Sequence, residues 1–142
     1  MKKMALLAIM LFTLLLLSCN NKNSENNEAT IQTQKMLQGA WYTTTLETNG
    51  QVINTKEHPE ALSSFVFKDD KVKLIQLGNN SENSGTFKIS NDTVYINDII
   101  NNTNVMSIKL DKVTDNNLNI TIIGQNVKMM MERMDVEDEL KN

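Results

Sequence analysis

"WYTTTLETNGQVIN", residues Trp41 to Asn54, sets two runs of strand-forming residues on either side of Asn49-Gly50. A type I′ turn needs positive φ at both central positions, and Asn-Gly supplies it at low steric cost. The stretch therefore reads as a hairpin between Trp41–Glu47 and Gln51–Asn54. The same rhythm continues downstream. Phe65-Val66-Phe67 and Val72–Leu77 flank Asp69-Asp70, and Phe87–Ser90 and Thr93–Ile96 flank Asn91-Asp92. Met106–Leu110, Leu118–Ile122 and Val127–Met134 follow, the last after Gly124-Gln125-Asn126.

Connections this short permit only antiparallel neighbours, because a parallel crossover takes a dozen or more residues. The expected fold is all-β, a small antiparallel up-and-down barrel of about eight or nine strands. It spans Met36 to Met134 as one domain, long enough to bury a core. The longest gaps, Thr55–Ala61 and Gly78–Gly85, are polar and suit a barrel mouth. Helix is expected only as a turn or two over Ile31–Gln38, stopped by Gly39, and one turn over Glu57–Leu62.

Upstream of the barrel the chain changes character. Met1-Lys2-Lys3 is basic, Met4 to Leu17 is almost wholly apolar, and Leu16-Leu17-Ser18-Cys19 follows at once. The apolar run is too short and wrongly flanked for a spanning helix, and it reads as a leader over residues 1–18. Leu at −3, Ser at −1 and Cys at +1 resemble a bacterial lipobox. That resemblance implies a membrane anchor on Cys19, with fatty acyl groups such as palmitate on its thiol and new amino group. It also implies a cell-envelope location on the outer membrane.

Two or more acyl chains, at about 0.8 kcal/mol per buried methylene, make such an anchor essentially permanent. Cys19 is the only cysteine, so the domain has no disulfide and rests on its core. Losing Lys2 and Lys3 with the leader takes the net charge from −3 to −5, which disfavours nucleic acid and anionic lipid as partners. The Asn-rich segment after Cys19 lacks aromatic residues and reads as a flexible linker over residues 19–35, disordered from Asn20 to about Thr30. As a coil, its first 11 residues would span about 18 Å. Residues 135–142 read as an acidic tail.

Gly39 and Trp41 sit at the entrance of the first strand. A flat, bulky side chain there can plug one end of a closed meander, while glycine lets the chain turn sharply inward. Arg133, the only arginine, lies on the last expected strand. In an up-and-down barrel the first and last strands must pair, which would put Arg133 on Trp41 as a cation–π pair worth about 0.5–2 kcal/mol. Gly-x-Trp at this place, with "FVFKDDKV", "GTFKISNDTVYI" and a basic residue on the closing strand, resembles the small bacterial lipocalin-like lipoproteins. The resemblance covers Leu37 to Met134. It implies a non-enzymatic binding module, although the long C-terminal helix and the Thr-Asp-Tyr type motif of lipocalins are lacking.

Catalytic constellations are scarce. His58, the only histidine, stands in "TKEHPEA" beside Glu57 and Glu60. Pro59 breaks regular helical spacing and no second His or free Cys is at hand, so an exposed loop histidine is expected rather than a metal site, and no metal or other cofactor is assigned. Ser63 and Ser64 lack a nucleophile elbow. Asp69-Asp70 and Glu137-Asp138 fall in a turn and a tail. Asp92-Thr93-Val94 resembles a bacterial O-glycosylation acceptor, and Asn91-Asp92 is fully accounted for as a turn.

At strand period Met129 and Met131 share a face with Val127 and Arg133, while Met130 points the other way. Two functions follow. The first is binding of a small hydrophobic ligand inside the barrel, with Phe65, Phe67, Phe87, Met129 and Met131 as candidate contacts. The second is binding of an envelope protein through the outer surface and loops of a filled barrel. An eight-stranded barrel is only just wide enough for its own side chains or one small ligand, and so many bulky residues argue against a large cavity. An apolar cavity above about 300 Å³ would favour the ligand carrier.

Overall fold

Each expected hairpin forms in the computed structural model, which describes residues 22–98 and 103–135. The strands are β1 (Gly39–Thr48), β2 (Gln51–Asn54), β3 (Ser63–Lys68), β4 (Lys71–Gln76), β5 (Ser81–Ser90), β6 (Thr93–Asp98), β7 (Asn104–Val113), β8 (Asn117–Ile122) and β9 (Val127–Arg133). Their turns use the residues that tolerate left-handed backbone. Asn49 and Gly50 have φ of 51° and 76°, Asp69 58° and Asn91 55°.

All pairings are antiparallel, and β9 returns to pair with β1, so β1 and β3–β9 close an eight-stranded barrel. β2 is the extra strand. It pairs only with the second half of β1, Thr45 to Thr48, while β3 pairs with the first half, Gly39 to Tyr42. Closure removes the free edges that an open sheet of this size would present.

Alternation along the strands turns one set of side chains inward. Trp41, Phe65, Phe67, Val72, Phe87, Val94, Ile108, Leu118, Ile120 and Met131 are buried in one core. Phe67 stacks on Phe65 at 6.0 Å between centroids and meets Phe87 edge-on at 5.1 Å. A bulge interrupts β1. Thr43 pairs with Met131 and Thr45 with Met130, leaving Thr44 as an added residue. The inward set of β1 therefore shifts from Trp41 and Thr43 to Leu46. Thr55 holds this point, its hydroxyl donating to the carbonyls of Thr43 at 2.6 Å and Thr44 at 3.2 Å.

Two expectations are corrected. Lys22–Leu37 forms one helix, α1, where a flexible linker over residues 19–35 was expected, disordered to about Thr30. Its Thr30, Thr33, Gln34 and Leu37, at positions i, i+3, i+4 and i+7, are covered to some degree, while Ile31, Gln32 and Lys35 are exposed. Met36 is half-buried too, but the covered residues before it are all polar, so no apolar period announces the helix. The polar gap over Gly78–Gly85 is also shorter than expected, because β5 already begins at Ser81. Among the described residues no helix is long and apolar enough to cross a membrane. The leader 1–18, Cys19 and residues 136–142 lie outside the described residues.

Candidate functional site

The two ends of the barrel differ. At one end Trp41 is fully buried on β1 and pairs in register with Arg133 of β9. The Arg133 guanidinium carbon sits 4.2 Å from the centroid of the indole ring, as expected from the sequence. Gly39, at φ 115°, lies beneath it, and a Cβ there would come within 2.6 Å of Arg133 Nη1. Only glycine suits both the backbone angle and that approach.

The same residues finish α1. A helix leaves its last four carbonyls without intrahelical partners, and here each finds one. Gln38 Nε2 donates to Gln34 O at 3.2 Å and the Gln38 backbone N–H to Lys35 O at 3.3 Å. Arg133 Nη2 donates to Met36 O at 2.8 Å, and Trp41 Nε1 donates to Leu37 O at 2.8 Å. Arg133 also donates through Nη1 to Gln38 O and through Nε to Asp115 O. A cation at a helix C-terminus is favoured by the helix dipole as well. Gln38 further exchanges hydrogen bonds with the Asp69 backbone in the β3–β4 turn, at 2.7 and 3.2 Å. Leu37, fully buried, thus joins Trp41 in sealing this end.

The opposite end is open. Its cavity has a volume of about 560 Å³, with Phe65 and Met129 among its deepest residues and Leu46, Leu74, Met106, Ile122 and Val127 around it. Phe65, Leu74 and Met106 also border an adjoining recess of about 250 Å³ that reaches Val72, Gly85 and Ile96. The rim is polar: Thr48, Ser63, Gln76 and Gln125 edge the larger cavity, Asn83 and Asp98 the recess. An apolar cup with a few polar groups at its lip is the form that small-molecule sites take.

This cup corrects the expectation of a barrel too full for a large cavity. The aromatic residues do fill the barrel, but only its closed half. Of the five candidate ligand contacts, Phe65 and Met129 border the cup. Phe67, Phe87 and Met131 pack in the core and do not line it. Leu46, Leu74, Met106 and Val127 were missed, although the inward alternation of β4, β7 and β9 marks the last three.

The rim is fixed by backbone packing. The turn Pro59–Ala61 leans on the β4–β5 connection, where Gly78 is so close that a Cβ would fall 2.2 Å from Glu60 O. His58 lies beside this turn, exposed, with Nδ1 at 3.1 Å from Glu60 Oε1. Its backbone hydrogen bond and His58 together lower the Glu60 carboxyl below its usual pKa. Among the described residues no group of three His, Cys, Asp or Glu side chains is placed to hold a metal ion. On the outer wall, Met130 and Val52 are exposed along a groove flanked by the ion pairs Lys128–Glu47 and Lys109–Asp111.

The barrel is similar to solved structures from Bacteroides. A lipocalin-like protein of Bacteroides uniformis matches with a TM-score of 0.53 and 12% identity, over 70% of this chain and 99% of that one. An uncharacterized protein of Bacteroides eggerthii matches with a TM-score of 0.51 and 12% identity, over 69% of this chain and 99% of that one. These likenesses show the fold, a lipocalin-like domain. No curated protein matches the chain. A family match spans the whole sequence, residues 1–142, and on that match the chain belongs to the family described as sporulation protein YdcC-like.

Proposed function

We propose that this chain is a lipid-anchored, non-enzymatic binding module of the bacterial cell envelope that holds a small hydrophobic ligand in the open end of its barrel. The observation that carries the reading is the cup itself, about 560 Å³ bordered by Phe65, Leu74, Met106 and Met129 beneath a polar lip. Its size lies within the range of small-ligand sites, and the lipocalin-like fold supports a binding role. Anchoring is supported by the lipobox-like Leu16–Cys19, and the outer membrane is the proposed location.

The test uses the neutral apolar probe N-phenyl-1-naphthylamine with the full chain in detergent-free buffer. Saturable fluorescence enhancement is expected. Leu74→Trp or Met106→Trp, which fill the cup, should weaken it at least tenfold. Met130→Ser on the outer wall should leave it unchanged. If Met130→Ser abolished binding while the cup variants did not, the outer groove with Val52 would be the site, and the ligand reading would fall. Anchoring is tested apart, by labelling with a fatty-acid analogue. Cys19→Ala should lose the label, and equal labelling of both proteins would overturn the anchor.

A further inference from the structure

The cup and α1 lie at opposite ends of the barrel. Leu37 ends α1 at the closed end, where its carbonyl accepts from the Trp41 indole. From there the helix runs back across that end. Gln34 reaches the Asp69 carbonyl in the β3–β4 turn at 3.4 Å, and Thr30 borders a depression with Asp70, Thr86 and Lys88, beside the part of β5 nearest the closed end. Lys22, where α1 begins, stands about 12 Å beyond Thr30 along the helix axis. The helix is not free to swing. Arg133 and Trp41 hold its last carbonyls and Gln38 grips the Asp69 backbone, so its axis turns only with the barrel.

Cys19 precedes Lys22 by three residues, and three Cα–Cα steps reach about 11 Å at most, whatever path they take. The barrel is deeper than that. β1 runs from Gly39, beneath Arg133, to Thr48 at the lip, and its ten residues rise about 23 Å at about 3.3 Å each and a tilt of about 40°.

We infer that the chain sits closed end down on the membrane that holds its anchor, with the cup opening away from that bilayer, so that its ligand enters and leaves on the aqueous side. The inference rests on the proposed acylation of Cys19, and its consequence for the ligand rests on the cup. With the lip turned to the bilayer, the acyl groups would have to cover about 23 Å from the level of α1 on a link of about 11 Å. With the closed end turned to it, the same link suffices. A flexible coil over residues 19–35 would impose no such choice, whereas the docked helix does.

The experiment uses the full chain with Cys19 acylated, bound to phosphatidylcholine vesicles that carry a nitroxide on a fraction of their head groups. Cys19 is the only cysteine and its thiol is then taken, so an introduced cysteine is the single site for a thiol-reactive dye. Asp92→Cys puts the dye in the β5–β6 turn at the closed end, and Asn126→Cys puts it in the β8–β9 turn at the lip, both exposed. The nitroxide is expected to quench the dye at residue 92 more strongly than at residue 126, by about twofold or more. Equal quenching, or stronger quenching at 126, would overturn the orientation and leave the anchor in place. Protein that does not float with the vesicles would overturn the anchor and the inference with it. Inserting about a dozen Gly and Ser residues between Asn21 and Lys22 should bring the two dyes close to equal quenching. An undiminished difference in that variant would overturn the short link as the cause of the orientation.

Discussion

Arg133, on the last strand, lies over the ring of Trp41, on the first, at 4.2 Å, and the two side chains jointly hold the end of α1. The pair therefore ties three parts of the chain that are distant in sequence. Trp41→Ala should cost about 3–5 kcal/mol through the cavity it leaves. Trp41→Phe keeps most of the volume but strands the Leu37 carbonyl, at about 1–3 kcal/mol. Arg133→Lys keeps the charge and loses both the planar stack and the fork that reaches Met36, Gln38 and Asp115, at about 2 kcal/mol. Urea melts of the three variants check this ordering. An Arg133→Lys protein as stable as wild type would show that the guanidinium geometry contributes nothing.

Docking of α1 through a mostly polar face sets a second expectation. Leu37 is fully buried against the sealed end, whereas Ile31 on the same helix is exposed. Leu37→Ala should cost about 2–5 kcal/mol, and Ile31→Ala less than about 0.5 kcal/mol. Equal effects in thermal or urea melts would mean that the helix does not cap the barrel.

The barrel was legible because turn chemistry and strand period agree along it. Asn49-Gly50, Asp69-Asp70 and Asn91-Asp92 each adopt the backbone their residue types favour. The pairing of Trp41 with Arg133 followed from the need to close the sheet. The helix was not legible, since Thr30, Thr33 and Gln34 carry no apolar signal, and apart from the buried Leu37 it is joined to the barrel by hydrogen bonds from Gln34, Gln38, Trp41 and Arg133 that no local pattern announces. The cup was missed for another reason. Counting bulky residues gives the volume available to fill a barrel but not where along its axis they gather. Here Trp41, Phe67 and Phe87 all gather in the closed half.

Tyr42 gives the fold a dependence on alkaline pH. Its hydroxyl donates to Glu132 Oε2 at 2.8 Å, and that bond, with smaller effects of burial and nearby carboxylates, raises its pKa above 10.0. The folded chain therefore holds the phenol proton more tightly than the unfolded one. The contribution is fully present below the unfolded pKa, near 10, and is lost as pH rises through the folded value. Urea melts of wild type should lose stability over that alkaline window, and Tyr42→Phe should flatten the loss. The same alkaline slope in both proteins would assign it to other groups.

The bulge at Thr44 is where β1 turns its inward set from the sealed half toward the cup, and Thr55 is what fixes it. The added residue leaves two backbone carbonyls, Thr43 and Thr44, turned toward the start of the β2–β3 connection. The Thr55 hydroxyl reaches both, and its backbone N–H donates to Thr44 O at 3.1 Å. Thr55 is itself buried, so water cannot readily replace it. Thr55→Val keeps shape and burial but removes the donor, leaving the Thr43 carbonyl without the hydroxyl it accepts from. The expected cost is about 1–3 kcal/mol, while Thr55→Ser, which keeps the hydroxyl, should lose less than about 1 kcal/mol. A loosened bulge also lets Leu46 shift at the edge of the cup, so Thr55→Val should weaken N-phenyl-1-naphthylamine binding and Thr55→Ser should not. Stability and probe affinity measured on both variants check the two effects. A Thr55→Val protein with wild-type stability and wild-type affinity would show that the bulge is held by the strand pairing of β1 alone.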